Sequence, residues 1–407
     1  MMSSSPPFYV IACGGTGGHL FPGIAVGERL IEAGARVALV VSRKEVDKRA
    51  VSAVRGMEVW TLEEASPSRG SPVRFVRSAA GFITSFCDLR RRFKAEKPLA
   101  ILAMGSFTSA APVVAGRWMG GKVFLHEANA IPGRATRWLV PLANEVFVYF
   151  PGAADLLRGK TARVVGMPVR PQFEPLDPGS CRISFGLLPG RPVLLVMGGS
   201  QGAHALNRLM REAIPSLVKR FPELHYLHLS GTEDLTVVAE AYRAAGAKAV
   251  TRPFLTEMEW ALGAADVALS RAGGSSLAEL AAMGVPSILI PYPHASDDHQ
   301  RANALAFSRS GAAILLDQAD ATPELLGDRL QALIGSGSMR EPMRKALGPW
   351  HYAGAADAVA RALLDLSDPT WRASASAVFK NAIRGEADGA AFGLSAEEVQ
   401  PRLGRFE

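Results

Sequence analysis

Cysteine is scarce in this chain: Cys13, Cys87 and Cys181 are the only three among 407 residues. An odd number at such wide spacing suggests neither a disulfide framework nor a zinc site, and it suits a reducing cytosol. No apolar run reaches the roughly 18 residues that a membrane-spanning helix needs. Tyr9–Cys13 lacks the length and basic flank of a signal peptide. Aromatic residues make up 7% of the chain, and no Lys/Arg tract alternates with them as a groove for single-stranded nucleic acid would require. Nucleic acid is therefore not an expected partner. Acidic residues are outnumbered by basic ones, 38 to 45, and the net charge of +7 suits phosphates or an anionic membrane surface. Glycine is plentiful, with 40 residues, many gathered into short turns. Length and an apolar content of 48% allow two domains with sizeable cores.

The most informative stretch is Leu269–Asn303, LSRAGGSSLAELAAMGVPSILIPYPHASDDHQRAN. Val267–Leu269 reads as a buried parallel strand, Arg271–Ser275 as a turn, Ser276–Met283 as a helix and Ser287–Pro291 as a second strand. Gly273, Gly274, Ser275 and Ser276 then sit at a helix N-terminus, where bare N–H groups and the dipole favour an anion. Glu279, one turn further on, either grips two vicinal hydroxyls, as on a ribose, or merely complements the dipole. Asp297–Asp298–His299 could suggest a metal, but adjacent carboxylates in a loop are more often solvated or capping, so no metal site is expected.

Earlier, Phe8–Cys13 is a strand, Gly14–His19 a turn, and a helix runs to about Ala33 before a second strand at Arg36–Val41. This is a doubly wound βαβ opening. The glycine spacing is not that of a dinucleotide fingerprint, and Ser42, Arg43 and Lys44 stand where a ribose carboxylate belongs. NAD is disfavoured; an NADP enzyme remains open at this position. His19, at the lip of the turn, is a candidate general base, a role worth ~10²–10⁴ in rate. The alternative is a histidine that only bonds the turn, but open α/β sheets bind ligands at this edge. Val73–Lys94 places Phe75, Ala79, Phe82, Phe86, Leu89 and Phe93 on one helical face amid six basic residues. Such a helix lies on an anionic bilayer or packs on its own core.

Ala100–Met104 and Lys122–His126 are further strands, the latter running into Glu127, Ala128 and Asn129; Asn129 could bond a sugar hydroxyl or cap the next turn. The first domain is expected over 8–168, followed by a linker-like Glu174–Gly190. A second βαβ series opens at Pro192–Met197 with Gly198–Ala203 as its turn, giving a domain over 190–350, a helix within 351–368 and a poorly ordered tail over 370–407.

The ordered set GGTGGHLFPGIAVGERL, HEANAIPGRATRWL, GMPVR, GGSQGAHALN and SRAGGSSLAELAAMGVPSILIPYPHASDDHQRANA closely resembles the MurG family of UDP-N-acetylglucosamine:lipid I N-acetylglucosaminyltransferases. The resemblance implies a GT-B fold, two Rossmann-like domains facing across a cleft, and no cofactor. It implies that Glu279 holds the ribose and the Leu255 backbone the uracil edge. Ser200, Gln201 and Arg170 would lie near the diphosphate, with Gly274, Ser275, Ser276, His299, Gln300 and Asn129 around the sugar. Thr16, Gly17 and Gly18 count with the donor-binding residues, although the glycines around His19 also face the acceptor, for which His19 is the base. Phe75, Phe82, Phe86 and Trp118 would form a membrane patch resting on the anionic cytoplasmic leaflet. The implied partners are UDP-N-acetylglucosamine and undecaprenyl-linked lipid I.

Five positions depart from the family pattern: Ser106, Ala128, Thr136, Met167 and His299. Rival readings are another GT-B UDP-sugar transferase with a different acceptor, an NADP oxidoreductase, and a nucleotide-sugar binder that no longer turns over.

Overall fold

The computed structural model describes residues 6–15, 17–43, 54–62, 72–157, 162–199, 202–335 and 337–367, without the side chains of 72–75. Thr16, Lys44, Ser200, Gln201, the Phe75 side chain and the 370–407 tail, all named above, lie outside the described residues. The chain divides into two compact units, one of Met1–Arg170 with the stretch from Tyr352 onward, the other Pro171–His351.

Among its described residues the first unit holds seven strands: β1 (Phe8–Ala12), β2 (Arg36–Ser42), β3 (Glu58–Leu62), β4 (Ala100–Ala103), β5 (Lys122–Glu127), β6 (Glu145–Val148) and β7 (Ala162–Val164). They pair in parallel in the order β3-β2-β1-β4-β5-β6-β7. The second unit has six among its described residues: β8 (Val193–Met197), β9 (His225–Leu229), β10 (Ala249–Arg252), β11 (Val267–Ser270), β12 (Ser287–Leu289) and β13 (Ile314–Leu315). Their order is β10-β9-β8-β11-β12-β13, again all parallel. The order reverses beside β1 and beside β8, so the crevices that ligands favour open at the carboxyl ends of β1/β4 and of β8/β11. The central strands are uninterrupted apolar runs because helices cover both faces of each sheet: β1 and β8 are buried throughout.

Helix α1 (Gly17–Glu32) packs its Leu20, Ile24 and Leu30 on the first sheet. Helix α2 (Pro72–Ala95) lies against α3 (Ala110–Trp118), and α4 (Arg134–Leu139) follows β5. Two differences from the sequence reading stand out. The stretch expected as linker carries α5 (Pro178–Ser184), capped by Asp177, whose carboxylate accepts from the Ser180 amide at 2.7 Å. Proline at the first helical position after an acidic cap is a start signal that the surrounding glycines and prolines obscured. The last described helix returns to the first core: its Val359 and Leu363 join Ile11 and Leu39, and Ser367 meets the Tyr9 hydroxyl at 2.7 Å. The edge strand β3, half-exposed and only five residues long, carries no clear alternation and was not evident in the sequence.

Candidate functional site

The named residues fall into two sets, one at the switch point of each sheet. In the first, the turn after β1 is drawn tight under the start of α1. A side chain on Gly14 would collide with the backbone of Ser42 and Val41, its Cβ 2.4 Å from the Ser42 nitrogen. Gly17, Gly18 and His19 form the first turn of α1, and the His19 imidazole lies against Gly105 in the turn after β4. A Cβ on Gly105 would come 2.9 Å from the His19 Cε1, and φ there is +105°. Glycine is thus required on two counts. Thr108 fastens the two turns together by donating to the Gly14 carbonyl at 2.7 Å.

Between them sits Ser106, at φ 66° and ψ 157°. This region is essentially reserved for glycine, and another residue held in it costs roughly 1–3 kcal/mol.

Behind His19, β5 brings up His126, which is 1% exposed and donates from Nε2 to the Gly166 carbonyl at 2.8 Å. Burial pulls its pKa down to about 4, so at neutral pH it sets no positive charge beside His19. Glu127 is also buried; its carboxylate accepts from the amides of Asn129 and Gly133 and from the Asn129 side chain at 2.9 Å. Of the two roles considered for Asn129, the structure shows the bracing one: its side chain holds the turn through Glu127. Arg170, at the end of this unit, rests its guanidinium 4.7 Å from the Phe21 ring centroid on α1. Of the residues expected in the membrane patch, Phe82 stacks on Phe86 and Phe86 meets Trp118 edge-on, each pair with centroids 6.5 Å apart. Trp118 is 72% exposed.

In the second unit, α6 (His204–Arg220) follows β8 and its glycine turn, α7 (Met258–Ala264) follows β10, and α8 (Gly274–Ala282) follows β11. Gly273 caps α8 in extended backbone, so Gly274, Ser275 and Ser276 supply its first turn and Glu279 its second, half-buried. In the turn after β8, a side chain on Gly202 would strike the Ser230 carbonyl at 2.4 Å, with φ +76°. Leu255 lines a mostly apolar hollow of about 260 Å³ with Ser184, Phe185, Glu257 and Trp260.

Gln300 lies in α9 (His299–Arg309). Its side-chain oxygen accepts from the Ala272 and Tyr292 amides at 3.3 and 3.0 Å, clamping the turn before α8 to the loop after β12. His299 donates from Nδ1 to the Ser296 carbonyl at 2.7 Å, which leaves Nε2 as an acceptor in the neutral ring.

Two residues inside the motifs had been given no role by the sequence reading. One is His126. The other is Arg271, 6% exposed, whose Nη1 donates to the Ile290 and Pro291 carbonyls at 2.9 and 3.0 Å and whose Nη2 donates to Gln318 at 2.7 Å. Burial lowers its pKa to about 10, still charged at neutral pH. The signal was a single arginine wedged between an apolar strand and a glycine turn, where a cation must be hydrogen-bonded to be buried. Among the described residues no helix is long and apolar enough to cross a membrane.

Taken unit by unit, a helix start beside an imidazole suits a hydroxyl nucleophile, and a helix start followed by a carboxylate suits a sugar phosphate. Known proteins agree. The glycosyltransferase family 28 N-terminal domain matches residues 9–148 and the C-terminal domain of that family 193–361. A UDP-N-acetylglucosamine--N-acetylmuramyl-(pentapeptide) pyrophosphoryl-undecaprenol N-acetylglucosamine transferase of Sorangium cellulosum is 36% identical over 364 residues, covering 88% of each chain. Its namesake from Synechococcus elongatus is 37% identical over 378 residues, covering 90% of this chain and all of that one. The crystal structure of Acinetobacter baumannii MurG superposes with a TM-score of 0.70 at 25% identity, over 88% of this chain and 99% of that one. This chain is a GT-B glycosyltransferase and belongs to the MurG family within glycosyltransferase family 28.

Proposed function

We propose that the protein transfers N-acetylglucosamine, with inversion, from UDP-N-acetylglucosamine to the 4-hydroxyl of the N-acetylmuramyl moiety of lipid I, forming lipid II for peptidoglycan synthesis. The observation that carries this reading is identity of 36–37%, over 88–90% of this chain, to transferases whose names specify both donor and acceptor. Such a product places the protein in wall growth, and so in cell shape and division.

In the proposed mechanism His19 takes the proton from the attacking hydroxyl. The flat face it shares with Gly105 fixes the ring, and neutral His126 behind it adds no competing charge. The donor is assigned with its ribose hydroxyls on Glu279, its uracil edge on the backbone at Leu255 and its diphosphate at the first turn of α8, with Arg170, Ser200 and Gln201 as further diphosphate partners. His299, Gln300 and Asn129, with Gly274, Ser275 and Ser276, border the sugar, while Thr16, Gly17 and Gly18 line the approach. Departure of UDP is assisted by fixed donors and a guanidinium, which can take the place of a divalent ion. His19 rests against Gly105, and Asn129, His299 and Gln300 are each held by hydrogen bonds to neighbouring groups, so positioning contributes more than any one of them.

Phe82, Phe86 and Trp118, with Phe75, supply the surface by which the protein rests peripherally on the cytoplasmic face of the membrane, where its acceptor resides. Arg77, Arg90 and Arg91 on the same helix suit anionic headgroups, about 1 kcal/mol each.

Incubation with UDP-N-acetylglucosamine and a lipid I analogue tests the reading. UDP release should require both substrates and fall at least ~100-fold in His19→Ala with donor binding retained. Release that does not need the acceptor, or full activity in the variant, would refute it.

A further inference from the structure

We propose that Ser106 binds the acceptor sugar: its hydroxyl hydrogen-bonds a polar group of that sugar next to the hydroxyl that attacks. The inference rests on the functional reading above and adds a residue to it. Ser106 follows directly on Gly105, whose backbone lies against the His19 ring. Its side chain reaches over the turn after β1, where a Cβ on Gly15 would stand 2.7 Å from the Ser106 Oγ and 4.0 Å from the Thr108 Oγ1. The hydroxyl is thus at the lip shared by the two turns, one residue from the surface that fixes the base.

Two features indicate that the hydroxyl serves a ligand and not the fold. The backbone at Ser106 is one that glycine adopts freely and other residues only under strain. Yet among the described residues the half-buried side chain makes no hydrogen bond in return, since only the Ser106 carbonyl is used, accepting from the Ser109 amide at 3.2 Å. The neighbouring hydroxyls behave otherwise: Thr108 donates to Gly14, and Ser109 to Gly105 and Ala12. Those two hold the turn together, and Ser106 offers a donor and an acceptor at its surface. A sugar whose hydroxyl is presented to His19 carries polar substituents on the adjoining carbons, about one hydrogen-bond length away, and Ser106, next to the Gly105 surface that meets His19, is placed to meet one of them.

Ser106→Ala and Ser106→Gly separate the two features. Alanine keeps the strain and removes the hydroxyl; glycine removes both. Initial rates are measured with UDP-N-acetylglucosamine and a short-chain lipid I analogue, each substrate varied in turn, and unfolding temperatures are measured alongside. Both variants should raise the acceptor KM about 3–10-fold, the loss of one hydrogen bond, with donor KM and kcat within twofold of wild type. Ser106→Gly should unfold about 2–4 °C above Ser106→Ala as the strain is relieved. An unaltered acceptor KM in Ser106→Ala, with wild type turning over normally, overturns the inference alone, as does a change confined to the donor. Wild type that releases no UDP with this acceptor overturns the functional reading, and the inference with it.

Discussion

Arg271 is the clearest point at which the proposed donor half of the site can be loosened by one substitution. Replacing it with methionine keeps most of the side-chain volume while removing three hydrogen bonds, to Ile290, Pro291 and Gln318. A hydrogen bond to a charged donor contributes about 1.5–3 kcal/mol, but the buried charge carries a desolvation cost that methionine does not. The burial that draws its pKa down to about 10 is evidence of that cost. The net loss then comes mainly from the carbonyls of 290 and 291, left without their donor at about 1–3 kcal/mol each. A total near 3 kcal/mol is expected. For a unit of this size that lowers the unfolding temperature by about 6–12 °C.

The same carbonyls open the loop that Gln300 clamps to Ala272, so UDP affinity should fall by about tenfold or more in a variant that is still folded at 20 °C. Calorimetric unfolding with and without UDP, together with a UDP titration, measures both effects. Arg271→Lys should lie between, because an ammonium cannot span both carbonyls and Gln318 at once. An unfolding temperature within 2 °C of wild type, with unchanged UDP affinity, would refute Arg271 as the strut of this loop.

Other expectations concern the first unit and the chain as a whole. Gly105→Ala places a methyl against the His19 ring and strains a backbone at φ +105°; kcat should drop at least ~10-fold with UDP binding unchanged, as read from single-turnover rates beside a UDP titration. His126 and His228 are buried neutral, with pKa values drawn down to about 4 and about 3. Below pH 6.5 each is protonated in the unfolded chain while the folded chain resists, so stability is full above that pH and is lost as pH falls. The slope should be about 1.4 kcal/mol per pH unit per histidine, and unfolding in denaturant at pH 7.5, 6.0 and 5.0 should show it, shallower in His228→Gln. Trp118→Ala should weaken binding to anionic vesicles roughly tenfold and leave the unfolding temperature unchanged; equal partitioning in a flotation assay would count against the patch.

Much of this protein was legible in its residues because the signals are local. Short apolar runs ending in a glycine turn read as parallel strands, and the structure has them at β1, β4, β8 and β11. Gly273–Ser276 reads as a helix start from the turn alone, and the α8 cap lies there. Glycines at 14 and 105 were visible as turn formers, but not the reason that no other residue fits, which is the approach of Ser42 in one case and of His19 in the other.

What needed the tertiary structure are the pairings between segments far apart in sequence. No periodicity tells that Arg271 reaches Ile290 and Gln318, that Gln300 bonds back to Ala272, or that His126 backs His19. Nor does it tell that the last described helix returns to a core begun at Tyr9. The sequence by itself determined the elements and the chemical types at their edges, since backbone preference and burial pattern act over a few residues. Tertiary structure decided which of those groups are spent on holding loops, because a hydrogen bond is satisfied by whatever the fold brings within 3 Å.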